Sequence, residues 1–561
     1  MQEGKELGAE FWIVNIHVEC EIVDRMTKTL FLGRTQRRMA PSTKKAQRDN
    51  LHKTLDSIAN DLRGKVDGWD FKAYVLGTLF YRYLCEHLVH IINTEQHDAG
   101  DSEFDYSELS DEIAEFEREN YTQMVGYYIL PSQLFSAFVK GAADNVDLNI
   151  ELDKALRAVE ASSADAESAD DFKGLFQDFD VNSNKLGGTT VERSKRLATI
   201  MMAVDKLDLG SFTDTDIDVF GDAYEYLLRM YASNAGRSGG EHFTPQEVSE
   251  ILATIAVNKR STIRRAYDPC TGSGSLLFRF AKVLGIDNIT DGLYGQEINP
   301  TNHALARMNM FLHGVPFEKF DIKRGDTLEN PLHLEVQPFD AIVSNPPYSQ
   351  NWPGKNDVTL INDPRFAPAG ALAPKNYSDL AFTMHMLHHL EEDGVAAIVE
   401  FPGILHRGDA EKTIRQYLVD NNFVDAVIQL PPNLFFGTGI STIILVLKKS
   451  RETNDVLFVD AATHFVKNGA KNTLNEDNQQ AILDLYFNHE AVEHQAELVS
   501  NYDIAAKDYT LSVNSYVEKE DIREKVDIDQ LNADIARVCT EQEALRARVN
   551  EIVAELDGEG V

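Results

Sequence analysis

The sequence predicts an α/β chain: a mainly helical N-terminal region, a doubly wound parallel sheet, and a C-terminal helical or coiled-coil tail. Three observations carry this expectation. Between Lys44 and about Arg229, apolar residues recur at three- and four-residue steps, the period of helices that bury one face. From Ile263 onward, short apolar runs such as Ala341-Ile342-Val343 alternate with helical patterns, as parallel strands joined by crossover helices do. From Leu531 through Ile535, Val538, Gln542, Leu545, Val549 and Ile552 to Leu556 the steps are 4, 3, 4, 3, 4, 3 and 4, a coiled-coil seam with one polar member.

At 561 residues the chain exceeds what one core supports, and segments are expected at 1–38, 39–230, 231–500 and 501–561. The first 38 residues read as an extension or, preferably, as translated upstream sequence with the start at Met39. Their apolar run from Phe11 to Val23 is broken by Asn15, His17, Glu19 and Glu21, and no cleavage pattern follows. In the helical region Leu51, Leu55, Ile58 and Leu62 form one stripe. Tyr74, Leu76, Leu79, Phe80, Tyr83 and Leu84 form another, after a break at Asp67-Gly68-Trp69. The small acidic stretch from Ala161 to Asp171 reads as an exposed linker.

Composition narrows the function classes. With 90 acidic and 54 basic residues the net charge is −36, which argues against a stand-alone protein that grips a phosphate backbone through overall charge. Action on nucleic acid would need a local patch or a more basic partner subunit. Cys20, Cys85, Cys270 and Cys539 are far apart and match no zinc or disulfide spacing, so no metal site is expected and a reducing cytoplasm fits. No run of 18 apolar residues exists, so no membrane span is predicted.

In the segment YASNAGRSGGEHFTPQEVSEILATIA, glycines mark a loop that leads into a helix. Thr244 is the expected N-cap, Pro245 the first helical residue, and Glu247 the acid of a capping box. Strand ends follow at Ala266-Tyr267, Leu293-Tyr294-Gly295, Ala341-Ile342-Val343, Val395 to Val399 and Val424 to Ile428. Helical patterns at Leu276 to Leu284 and Ala304 to Leu312 lie between them. A last strand, Ile440 to Leu447, is expected to pair antiparallel at the sheet edge.

The strand ends carry the chemistry. In DPCTGSGSLLF, Gly272 and Gly274 permit a tight turn with backbone N–H groups close to a ligand. Leu277 stands where a dinucleotide fingerprint needs its third glycine, and no Lys-Ser/Thr follows for a phosphate loop. Cys270 reads as a packing residue. Glu297, closing GQE, can accept both hydroxyls of a ribose, and Asp326, in RGDT, can meet an adenine amino group. Singly, each acid also fits an ordinary surface carboxylate; together, after successive strands, they outline a pocket shaped for adenosine.

The fourth strand ends in Asn345-Pro346-Pro347-Tyr348. An aromatic amine such as adenine N6 is a poor nucleophile because its lone pair is delocalised into the ring. If the Asn345 amide oxygen and the Pro346 carbonyl each accept one N–H, that nitrogen gains electron density and is held towards an electrophile. Pro346 and Pro347 stiffen the backbone beforehand, and Tyr348 can stack on a base held out of a duplex. A rigid turn or a polyproline ligand is the competing reading of the tetrapeptide alone.

The ordered set HFTP (242–245), DPCTGSG (268–274), GQE (295–297), GDT (325–327) and NPPY (345–348) resembles the S-adenosylmethionine-dependent methyltransferases that modify adenine N6 in DNA. More narrowly, from about residue 43 to the C-terminus, the chain resembles the modification subunit of type I restriction-modification systems. Segments such as ARMNMFLHG (306–314) and FPGILHRGDAEKTIRQYLVDNN (401–422) add to the likeness. The resemblance implies a Rossmann-like methyltransferase domain and S-adenosyl-L-methionine as cofactor. It also implies DNA as substrate, with a separate specificity subunit, a second copy of this subunit and a motor-nuclease restriction subunit as partners. Glu241, His242, Phe243, Thr244, Pro245 and Gln246 should contact the methionine end of the cofactor, with Asp268, Thr271, Gly272, Ser273 and Gly274 around it. Glu297 should hold the ribose and Asp326 lie near the adenine, with Asn345, Pro346, Pro347 and Tyr348 forming the target-base site. The pair Cys270-Thr271, where relatives often carry small alanines, is expected to alter packing only. A protein-glutamine or ribosomal RNA N-methyltransferase using the same NPPY site is the alternative reading. The seam at 531–556 is the expected docking helix.

Overall fold

The computed structural model describes residues 41–62, 70–210, 219–234, 244–354, 357–435, 438–469, 471–519 and 527–558. The expected break at Asp67-Gly68-Trp69 and the reading of residues 1–38 lie outside them. The helical region comprises α1 (Pro41–Leu62), α2 (Asp70–Asp98), α3 (Leu148–Ser162), α4 (Thr190–Asp205) and α5 (Val219–Asn234), with shorter helices between them. Helix α2 buries one stripe completely: Leu79, Phe80, Leu84, Leu88 and Ile92. Helix α4 opens with a capping box, in which Thr189 Oγ1 accepts the Glu192 N–H at 3.3 Å and the Glu192 carboxylate accepts the Thr189 N–H at 3.2 Å.

The stretch from Ala161 to Asp171 departs from the exposed linker expected of it. Ser163 and Ser168 are fully buried. The buried Arg307 guanidinium donates to the carbonyls of Asp170, Asp171 and Lys173 at 2.9, 2.9 and 3.0 Å. The acidic side chains advertise solvent, but backbone carbonyls carry the packing, and side-chain composition does not register them.

Helix α6 (Gln246–Val257) leads into a mixed nine-stranded sheet, interleaved with α7 (Ser275–Leu284), α8 (Pro300–Leu312), α9 (Asp379–His389), α10 (Asp409–Asp420) and α11 (Glu476–Asn488). Its strands are β1 (Ile263–Asp268), β2 (Ile289–Glu297), β3 (Phe320–Arg324), β4 (Phe339–Ser344), β5 (Leu390–Glu400), β6 (Val424–Gln429), β7 (Ile443–Lys448) and β8 (Asp455–Asp460). A small hairpin, β9 (Val466–Asn468) and β10 (Lys471–Thr473), precedes the ninth, β11 (Ala496–Ser500). The order is β11-β8-β6-β7-β5-β4-β1-β2-β3. Strand β7 pairs antiparallel as expected, but it lies between β5 and β6 instead of at the edge. Its five residues from Ile443 to Leu447 are all buried, the pattern of a strand covered on both faces. That edge belongs to β11, which pairs antiparallel to β8, itself parallel to β6.

Alternate side chains enter two cores. Ala341 and Val343 face the core shared with α6, α7 and the N-terminal helices, while Ile342 faces the one shared with α9 and α10. The segment from Asn501 to Val517 closes the second core with Leu511, Val513 and Val517. One compact unit extends to Val517, and a second spans Glu518–Val561 with helix α12 (Ile528–Gly558). Along α12 the seam is exposed: Leu531 by 49%, Leu545 by 65% and Leu556 by 67%. Among the described residues no helix is long and apolar enough to cross a membrane.

Candidate active site

Strands β1, β2 and β3 run outward in one direction, and β4 returns to the other side of β1. That reversal opens a crevice at the carboxyl ends of β1 and β4, where doubly wound sheets bind ligands. The two motifs meet there directly. The buried Ser344 hydroxyl, ending β4, donates to Asp268 Oδ1 at 3.0 Å, and the Cys270 N–H reaches the same oxygen at 2.9 Å. Burial pushes the Asp268 carboxyl up to about 7 against those bonds, and nearby Glu297 adds to the rise. Its Oδ2 is buried with no hydrogen-bond partner among the described residues. Burial likewise raises the Cys270 thiol, which fits packing better than nucleophilic chemistry.

The glycine loop is locked from within. Gly272 and Gly274 are left-handed, with φ of 56° and 79°. The Gly272 N–H donates to Glu297 Oε2 at 2.8 Å, and Oε1 accepts the Asn299 N–H at 2.7 Å. Gly274 serves close helix packing, since a Cβ there would stand 3.1 Å from the Ala306 Cα in α8. Thr271, expected beside the cofactor, is buried, and its hydroxyl contacts the carbonyls of Asp268 and Gln296 at 2.9 and 3.2 Å. The Ser273 hydroxyl pairs with that of Ser275.

Glu297, Asp326, Asn345 and Pro347 line one cavity of about 200 Å³. Asp326 Oδ1 accepts the N–H groups of Leu328 and Glu329 at 2.9 and 3.0 Å, which fixes the turn after β3. Ile298, Asn302 and Phe382 also line the cavity, and no sequence expectation included them. Ile298 offered a local signal in its position directly after Glu297, and the structure leaves it 54% exposed. Phe382 offered none, because α9 delivers it from a distant part of the chain.

At the end of β4 the Asn345 amide is held on both sides. Its Nδ2 donates to Thr244 Oγ1 at 3.1 Å, and its Oδ1 accepts the Tyr348 hydroxyl at 2.6 Å. Tyr348 remains a neutral donor, since burial and then Glu400 and Asp379 raise its hydroxyl well above the usual range. Thr244 therefore is not the N-cap expected of it. Helix α6 starts at Gln246 with Pro245 in the cap position and no side-chain cap bond, so the Glu247 capping box does not form. Gln246, expected at the cofactor, donates through Nε2 to the Glu225 carboxylate on α5. Glu241, His242 and Phe243 lie outside the described residues. Pro346 is buried, and Phe401 stands with its ring 6.1 Å from that of Tyr348. Among the described residues no cluster of three or more His, Cys, Asp or Glu side chains is placed to hold a metal ion.

The N-6 DNA Methylase family model matches residues 215–525, and the HsdM N-terminal domain model matches 51–204. The methylase subunit of the type I restriction enzyme MpnII from Mycoplasma pneumoniae is 43% identical over 526 residues, 91% of this chain and 97% of that protein. The MjaVII methylase subunit from Methanocaldococcus jannaschii is 33% identical over 57% of each chain. The crystal structure of a type I restriction-modification methyltransferase subunit from Streptococcus thermophilus superposes with a TM-score of 0.75 at 35% identity, covering 84% of this chain and 100% of that one. The crevice at the β1–β4 reversal, with its NPPY turn, thus sits in a chain that belongs to the N-6 DNA methylase family, among the methylase subunits of type I restriction enzymes, and is an adenine-specific DNA methyltransferase.

Proposed function

We propose that the chain transfers a methyl group from S-adenosyl-L-methionine to N6 of adenine in DNA as the modification subunit of a type I complex. The carrying observation is the Asn345 amide, braced by Thr244 and Tyr348, in the wall of the cavity that Glu297 and Asp326 share. The donor set fits the cofactor: a buried Asp268 oxygen without a partner among the described residues, a left-handed glycine turn, and two acids at successive strand ends. When bound, S-adenosyl-L-methionine supplies an electrophilic methyl group. Glu297 accepts the ribose hydroxyls through lone pairs not engaged by Gly272 and Asn299, and Asp326 accepts from the adenine amino group. Asn345 Oδ1 keeps one lone pair beyond its bond to Tyr348, and with the Pro346 carbonyl it would accept hydrogen bonds from the two N6–H groups of the target base; as N6 gains the methyl group it loses one of these protons to water, leaving the sulfonium as the neutral thioether. Tyr348 stacks on that base. Catalysis is then alignment and hydrogen bonding to the attacking amine. Comparing methylomes with and without the protein should show N6-methyladenine lost at one recognition sequence. Unchanged DNA methylation, with a glutamine or ribosomal base modified in its place, would overturn this reading.

Asp268 gives the cofactor step a pH signature. Its carboxyl is protonated below about 7 and ionised above, and only the ionised form balances the ammonium of the methionine moiety. Calorimetry from pH 6 to 7.5, below the range in which the methionine ammonium itself loses its proton, should show cofactor affinity weakening by up to about tenfold per unit below 7. Asp268→Asn should bind weakly and without that slope. A flat wild-type profile would remove Asp268 from the cofactor site. For stability the sign is opposite: because the folded value lies above the usual 3.8, this group's contribution is present at low pH and is lost as pH rises towards about 7.

Sequence choice falls to a more basic specificity subunit, as the net charge of −36 suggests, with a second copy of this chain and a motor-nuclease subunit completing the assembly in the cytoplasm. The exposed seam of α12 is the docking element. Deleting residues 527–561 should abolish co-purification of the specificity subunit while leaving cofactor affinity unchanged; equal recovery would rule the seam out.

A further inference from the structure

The turn after Tyr348 holds an unfavourable conformation with a visible support. Ser349 is left-handed, with φ of 53°, a region that side-chain-bearing residues enter at a cost. Its N–H donates to Asp379 Oδ1 at 3.1 Å, and the next carbonyl, of Gln350, accepts the Ser378 N–H at 3.2 Å. Both partners stand at the start of α9, so the chain leaving Asn345-Pro346-Pro347-Tyr348 is fastened twice to one helix end. Asp379 is fully buried. An acid in a first helical turn ordinarily serves its own helix. This carboxylate instead reaches across to another segment, and the N-cap residue Ser378 makes no side-chain cap bond. Helix α9 is itself tied to β5, since the Thr383 hydroxyl donates to the buried Glu400 carboxylate at 3.0 Å.

Resting on the methyl-transfer reading of this site, we propose that Asp379 is a positioning residue: by accepting the Ser349 N–H it holds the left-handed turn that sets Asn345 and Tyr348 for the target base. The bond is to a backbone N–H, so a neutral amide oxygen at the same place serves equally well. Glycine at 349 needs less holding, because it enters the left-handed region freely.

The test uses the full-length chain co-expressed with its specificity subunit, carrying Asp379→Ala, Asp379→Asn, or Asp379→Ala with Ser349→Gly. For each, kcat for methyl transfer, the S-adenosylmethionine dissociation constant and amide exchange of the peptide 345–350 are measured. Asp379→Ala should lower kcat by about five- to thirty-fold, the equivalent of a left-handed non-glycine residue, and speed exchange comparably. Its cofactor affinity should stay within about twofold of wild type. Asp379→Asn should keep kcat within about threefold, and Ser349→Gly should restore most of the alanine variant's loss. Wild-type kcat and exchange in Asp379→Ala would overturn the proposal. So would an asparagine variant as damaged as the alanine one, or cofactor affinity falling in step with kcat. A wild-type complex that methylates no DNA would sink the reading of the site alone, and exchange across 345–350 would still decide whether Asp379 holds the turn.

Discussion

Replacing Asn345 with alanine should lower methyl transfer by about 10²–10³-fold, the usual loss when one oriented polar group at a reacting centre is removed. The substitution removes an acceptor that is aimed before any base arrives, with Thr244 holding one end of the amide and Tyr348 the other. On the proposed mechanism, alanine leaves the adenine amine without the oxygen that localises its lone pair. None of the bonds that fix Glu297, Asp268 or Asp326 involves Asn345, so the cofactor dissociation constant should stay within about twofold of wild type. Asn345 is part-exposed and its partners can turn to water, so folding should hardly change. Single-turnover methylation alongside cofactor titration separates these effects. Near-normal turnover, or loss of rate together with cofactor binding, would remove Asn345 from the chemistry.

What the sequence disclosed follows the range of the interactions involved. Strands β1, β2 and β4 and the turns after them were legible because each is set by a few neighbours: a buried apolar run, then glycine, proline or an acid. The role of Thr244 was not. As a threonine ahead of a helix it fits an N-cap, and the competing partner, Asn345, lies 101 residues away. The place of β7 was hidden for a related reason, since its pattern reports burial but not which strands flank it. From Ala161 to Asp171 polar side chains mask the carbonyls that wrap Arg307, so composition there reports solvent where the backbone is packed. Asp379 and Phe382 carry no local signal, and only the packing of α9 against the NPPY turn brings them to the site.

The same long-range logic predicts where the molecule is most fragile. Glu225 on α5 and Arg279 on α7 are 2% and 1% exposed, and one guanidinium nitrogen sits 2.9 Å from both carboxylate oxygens. Gln246 donates to the same carboxylate, so three helices, α5, α6 and α7, converge on one buried charge. Glu225→Ala leaves the buried guanidinium without the carboxylate that touches it, and Arg279 Nε already lacks a partner among the described residues. The expected cost is about 3–5 kcal/mol, far more than the pair contributes over an apolar substitute, because a stranded charge is the expensive state. In thermal unfolding the midpoint should fall by roughly 3–5 °C, since the unfolding entropy of so long a unit is large. Joint replacement, Glu225→Met with Arg279→Met, should recover most of that loss by removing both charges. A second consequence reaches the site. Gln246 stands two residues after Thr244, so freeing it loosens the start of α6 and, through Thr244, the hold on Asn345. Glu225→Ala should therefore lower methyl transfer even at temperatures where it stays folded. An unchanged midpoint would show that this buried pair does not fasten the helices to one another.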